Sequence, residues 1–222
     1  MSETIITVQG EHEERRAAER GTVRLLVTYD GDSRHETLAL ATERHAEIAA
    51  GLREIHDAQN GPVLRWSSDQ LRVWGDRPWS QNGEQLPIVH HAQVGIEAEF
   101  SDPAALSDWV GTVSLRDGVT VEGVTWRLSD ETLRRLTAQV SQRAVEEAVA
   151  KARRYASGLG LTDLRPVALS DPGLLGDAGA PPQPAPPFAA RMMAADAGGA
   201  SLALKPDEIR VAVQVHARFA AS

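Results

Sequence analysis

The chain is predicted to be an α+β protein: two small two-layer α/β sandwich units, one long helix, and a C-terminal strand that returns to a sheet. Three observations predict this. Strand-like alternation and helix-like spacing follow one another along residues 4–170. Residues 119–161 read as a strand, a capped entry and one long helix closed by glycine. Residues 208–219 set Ile209, Val211, Val213, Val215 and Ala217 against Arg210, Gln214, His216 and Arg218, the period of a half-buried strand.

Taken in order, residues 4–8 alternate as a short strand, and 11–20 form a charged connector. Residues 23–29 are a second strand, closed by the turn residues Asp30, Gly31, Asp32 and Ser33. Leu38, Ala41, Ile48, Leu52 and Ile55 mark one face of a helix over 34–55, with Asp32 or Ser33 as N-cap. Asn60, Gly61 and Pro62 break the chain. Residues 63–74 follow as a strand bent near 67–69, and 76–83 are a polar loop. Residues 88–100 alternate, with Val94, Ile96, Ala98 and Phe100 on one side. Asp102 and Pro103 start a short helix, because Asp caps free amides and Pro fits the first helical position. Residues 119–128 are the next strand. Ser129 or Asp130 caps the long helix, whose apolar stripe is Leu133, Leu136, Val140, Ala144, Ala148, Ala152 and Ala156; Gly158 and Gly160 end it. A strand over 164–169 follows.

This organisation divides the chain into an N-terminal unit, 1–85 plus 205–222, completed by the C-terminal strand, and a second, ferredoxin-like unit, 86–170, with its long helix at 130–158. Between them, 171–204 is dominated by Gly, Pro and Ala and is expected to be a flexible loop.

Composition narrows the function classes. Hydrophobic residues are 42% and charged residues 24%, with a net charge of −8, so a general nucleic-acid or anionic-membrane surface is disfavoured. The absence of cysteine removes disulfides, Cys-ligated zinc and thiol nucleophiles. No stretch approaches the length of a membrane span, and the N-terminal residues lack a basic and apolar export signal, so the chain as written is expected in the cytoplasm.

Several segments carry a family resemblance. They are the opening Ile6-Thr7-Val8-Gln9-Gly10-Glu11, the run from Val121 through Gly123 and Trp126 to Asp130, and the helix with Ala144, Lys151, Ala152, Ala156 and the ending at Leu161. The close, Leu204-Lys205-Pro206-Asp207-Glu208-Ile209-Arg210-Val211, carries it too, with Asp207 where glycine is frequent. Together these resemble the SIMPL-domain family, whose biochemical activity is generally unassigned. The resemblance spans almost the whole chain apart from the proline-rich loop. It implies two α/β sandwich units and a tendency to homo-oligomerise. Relatives include envelope and oxidative-stress-associated proteins, many of them periplasmic in appearance. The resemblance implies no catalytic residues.

The residues themselves specify no reaction. Adjacent His90 and His91 on a strand point to opposite faces and cannot share a metal. Glu97 and His216 are the distant groups an acid–base or metal site would need, and no ligand spacing unites them. Ala156 to Gly160 resembles a nucleophile elbow or dinucleotide fingerprint only as a string, since it follows a helix instead of opening one. No catalytic residue, metal or cofactor is therefore assigned. Trp66, Trp74, Arg77 and Trp79 cluster in one segment with Arg65 and Arg72, the composition of an interaction hot spot. The alternative is that Trp66 and Trp74 pack in the core and only Trp79 is on the surface. Ala144, Ala148, Ala152 and Ala156 form a second candidate surface, for helix packing or assembly.

The expected function is that of a non-enzymatic, self-associating or protein-binding chain, with a stress-related role implied only by the resemblance. The alternative is a small-ligand or peptide-binding module using residues 66–79 and a cleft between the units.

Overall fold

The computed structural model describes residues 3–79, 84–175 and 206–222. It is α+β, with two antiparallel sheets and three helices among the described residues, and the chain forms two compact units. The expected loop at 171–204 lies largely outside the described residues; 171–175 are turn and bend.

One unit is a three-stranded sheet covered by a long helix. Its strands are β1 (Thr4–Ala17), β7 (Leu164–Ser170) and β8 (Glu208–Ala221), in the order β1-β8-β7, and its helix is α3 (Asp130–Gly158). Strand β1 pairs with β8 from Thr4↔Ala221 to Ala17↔Glu208. The charged connector expected over 11–20 is thus mostly strand. Its glutamates obscure the alternation, and hydrogen bonding to β8 sets the extended backbone. Helix α3 begins at its predicted cap, with the Ser129 side chain accepting from the Thr132 amide, and ends where Gly160 takes a φ of 75°. Leu136 and Val140 pack with Val211 in its first half; in its second half Ala144, Ala148, Ala152 and Ala156 pack with Ile6, Val8, Val215, Ala217 and Phe219. Pro166 sits at a register shift in β7, an edge strand, where a missing amide is tolerated.

The other unit contains β2 (Arg20–Gly31), α1 (Arg34–Ile55), β3 (Val63–Ser68), β4 (Arg72–Asp76), β5 (Val89–Phe100), α2 (Pro103–Val113) and β6 (Val119–Arg127). Its sheet order is β3-β5-β2-β6, all pairs antiparallel, with β4 also on β5. A β-α-β-β-α-β chain in that order is ferredoxin-like. Ser33 caps α1 and Asp102 caps α2, as their local sequences predict. Val23, Leu25, Val27, Ile96, Ala98 and Phe100 line the sheet face that packs with Ile48 and Leu52 of α1 and Leu106 and Val110 of α2. Burying each such side chain contributes about 1.5–3 kcal/mol.

These two units correct the expected division of the chain. The ferredoxin-like arrangement falls on β2 to β6, not on 86–170, because α3 and β7 join β1 and β8 in the other sheet. The C-terminal strand does pair with the N-terminal one, but β2, α1 and β3 are not in that unit. Alternation identifies a strand without naming its neighbour.

Strands β3 and β4 form one interrupted edge along β5. Across the break, the Asp69 amide donates to the Gly95 carbonyl at 2.9 Å. The Asp69 carboxylate lies over Gly95, where a Cβ would come within 2.4 Å of its Oδ2. The interruption determines which faces the tryptophans take.

Candidate functional site

Trp66 and Trp74 are eight residues apart, so an uninterrupted strand would put them on one face. The break between β3 and β4 changes that phase. Trp66 stands opposite Ala98 on the helix-covered face, packs against the core and lies under the Arg53 guanidinium. Trp74 stands opposite His91 on the other face and is 39% exposed. Trp79, beyond β4, is 82% exposed. Arg77 donates to the Leu86 carbonyl at 2.8 Å. Arg72 lies over the Trp74 ring at 5.8 Å. Of the four residues expected at an interaction surface, Trp66 is therefore largely structural, while Trp74 and Trp79 are exposed.

The other candidate surface has a different fate. Ala144, Ala148 and Ala152 are fully buried and Ala156 nearly so, against the sheet of their own unit. The alanine face packs a helix within the chain and offers no exposed surface for assembly.

His91 anchors Trp74 in a way no local motif announces. Its Nδ1 lies 2.6 Å from Asp30 Oδ1 on β2, and its Nε2 lies 2.9 Å from Asp76 Oδ1 on β4. Its ring stacks on Trp74, with centroids 5.1 Å apart and planes inclined by 20°. A ring with a carboxylate at each nitrogen is satisfied best as the doubly protonated imidazolium. The hydrogen bonds that the ring donates to Asp76 and Asp30 raise the His91 pKa above its ordinary value. His90, one residue away, points to the helix-covered side, and its Nδ1 is buried without a hydrogen-bond partner among the described residues.

A second polar cluster sits on the same face of the sheet, further along. Glu99 on β5 is 2% exposed and binds Arg20 of β2 at 3.3 Å, Arg65 of β3 at 2.5 Å and Arg127 of β6. One carboxylate thus ties together four of the five strands of the sheet. Burial by itself would raise its pKa, but the Arg127 and Arg65 guanidiniums outweigh that and hold it below the ordinary value. Beside it, Arg65, Trp66, Ser67, Glu97 and Glu99 line an open depression of about 260 Å³. Arg24 bridges Asp69 at 3.0 Å and Glu122 at 2.9 Å nearby. Neither the His91 nor the Glu99 cluster was legible in the sequence, since their members come from three and four separate strands.

The chemistry available here is ionic clamping and aromatic contact. His45 Nε2 and Ser68 Oγ lie 2.8 Å apart, and burial followed by the Arg53 charge lowers the His45 pKa. Among the described residues no third group hydrogen-bonds to the ring, and Ser68 ends a strand without an elbow. Glu97 lies on β5 and His216 on β8, in different sheets. Among the described residues no three His, Asp or Glu side chains converge as a metal site would require. No helix among the described residues is long and apolar enough to cross a membrane.

Comparison with known proteins agrees with the resemblance read from the motifs. The family model SIMPL, described as a protein of unknown function (DUF541), matches residues 6–219. No curated protein matches the chain.

Proposed function

The chain belongs to the SIMPL family, and from that premise we propose that it acts without catalysing a reaction, by associating with further copies of itself or with a protein partner. The observation that carries this reading is the exposure of Trp74 and Trp79, with the Arg72 guanidinium over the Trp74 ring. Large aromatics next to arginine are the residues that dominate binding energy at protein interfaces, and solvent exposure of a tryptophan is otherwise unfavourable. A second reading uses the same place. Strand β4 lies along β5 at the β3 side of the sheet, so an extended peptide can add to its outer edge with the tryptophans supplying side-chain contacts.

Light scattering across a range of dilutions tests the first reading. An oligomer in the wild type that is weakened in Trp79→Ala supports self-association through this surface. An oligomer untouched by Trp79→Ala and Trp74→Ala sinks the surface. A monomer at every concentration sinks self-association and leaves the partner or peptide reading.

A further inference from the structure

Strand β4 has five residues and, among the described residues, pairs with no strand but β5, so its attachment depends on few groups. One of them is unusual. The His91 ring spans from Asp30, near the end of β2, to Asp76, at the end of β4, with Trp74 stacked on it. We propose that His91 is a proton-operated latch that fastens β4, and with it Trp74, to the sheet while its ring carries both protons, and releases them when one proton leaves. This rests on the reading of the Trp74–Trp79 segment as a contact surface and assigns that surface a regulator.

The physical reason is a donor count. The imidazolium has two N–H donors, and Asp30 and Asp76 are acceptor-only when ionised. Loss of one proton leaves a ring nitrogen lone pair facing a carboxylate at hydrogen-bond distance. It also removes the positive charge between two negative ones. The groups facing the ring are Asp30 from β2 and Asp76 from β4, with the Arg72 guanidinium beyond Trp74. On the other side of β4, Arg34 of α1 reaches the Val73 carbonyl at 3.4 Å, too long to replace the latch. The shift of the His91 pKa above its ordinary value agrees with this geometry and places release on the alkaline side of an exposed histidine.

The test is an NMR titration of the His91 ring in the full chain, together with amide hydrogen-exchange protection of β4 corrected for the intrinsic pH dependence of exchange. The expected result is a midpoint above that of an exposed histidine, lowered in Asp30→Asn and in Asp76→Asn. Protection of β4 should fall through the same midpoint while the central strands β2 and β5 keep theirs. The total fall should be about tenfold for each unit by which the latched midpoint exceeds the released one. An unraised midpoint, or β4 protection that ignores it, overturns the latch whatever the protein associates with. A latch that titrates while association stays constant with pH overturns the regulation but leaves the contact surface standing, provided Trp79→Ala still weakens association. If Trp79→Ala has no effect, the contact surface fails first and the regulation fails with it.

Discussion

Gly10 of β1 and Ala148 of α3 meet so closely that a Cβ at position 10 would stand 2.8 Å from the Ala148 Cβ. It would also stand 2.7 Å from the Ala148 amide nitrogen and 2.1 Å from the Ala144 carbonyl oxygen. These neighbours are mostly backbone, which cannot rotate away. The alanine stripe therefore has a specific counterpart: glycine on the strand and alanine on the helix allow the two backbones to approach.

Gly10→Ala is accordingly expected to force strand and helix apart, at a cost of about 1–3 kcal/mol, the range for overpacked cores. Ala148→Leu should cost a similar amount by the same mechanism. Denaturant midpoints with an unchanged slope measure both. An unaltered midpoint for Gly10→Ala would show that this contact is not maintained in solution.

Glu99→Gln removes the charge that three arginines share. Arg20, Arg65 and Arg127 keep side-chain exposures of 30%, 67% and 35%, so water compensates part of the loss. The expected destabilisation is about 1–3 kcal/mol, below that of breaking a fully buried pair. Thermal melting at neutral pH measures it. No change would mean that the carboxylate is already well solvated.

Acid should act on the same group. The folded pKa of Glu99 lies below its unfolded value, so its contribution is fully present above the unfolded value and is lost as pH falls through the folded one. Below about pH 4.5, the wild type should lose more stability than Glu99→Gln. Parallel curves for the two proteins would rule out this coupling.

His91 should act in the opposite direction. Its folded pKa is raised, so its contribution is complete below the unfolded value of about 6.5 and is lost as pH rises through the folded one. Asp76→Asn should flatten the pH dependence of melting between those two values. An equal slope in wild type and variant would show that Asp76 does not sense the ring's charge.

The tryptophans should separate by face. Trp79→Ala, at an 82% exposed position, should leave stability within about 0.5 kcal/mol. Trp66→Ala removes a half-buried ring from the core edge and should cost about 1–3 kcal/mol. Chemical denaturation of both proteins distinguishes the two roles. Equal effects would contradict the packing of Trp66 against the core and the exposure of Trp79.

The sequence by itself determined the α+β class, the positions of the helices and the family. Asp102 caps its helix as the local sequence says it should, and Ser33 and Ser129 are each one of two adjacent residues the sequence offers, because a cap is an interaction within three residues. The alanine stripe and the closing glycines of α3 were legible for the same reason, as was Trp79 as a surface candidate. Tertiary structure alone decided which strands share a sheet. Strands β1 and β8 pair across nearly the full length of the chain, and no periodicity within either one names its partner. It also decided that β1 runs on through its charged half, that Trp66 and Trp74 face opposite ways, and that His91 and Glu99 gather ions from separate strands. Each of those depends on register, and register is fixed by backbone pairing between distant segments and by the face each residue then presents, not by the residues within a segment.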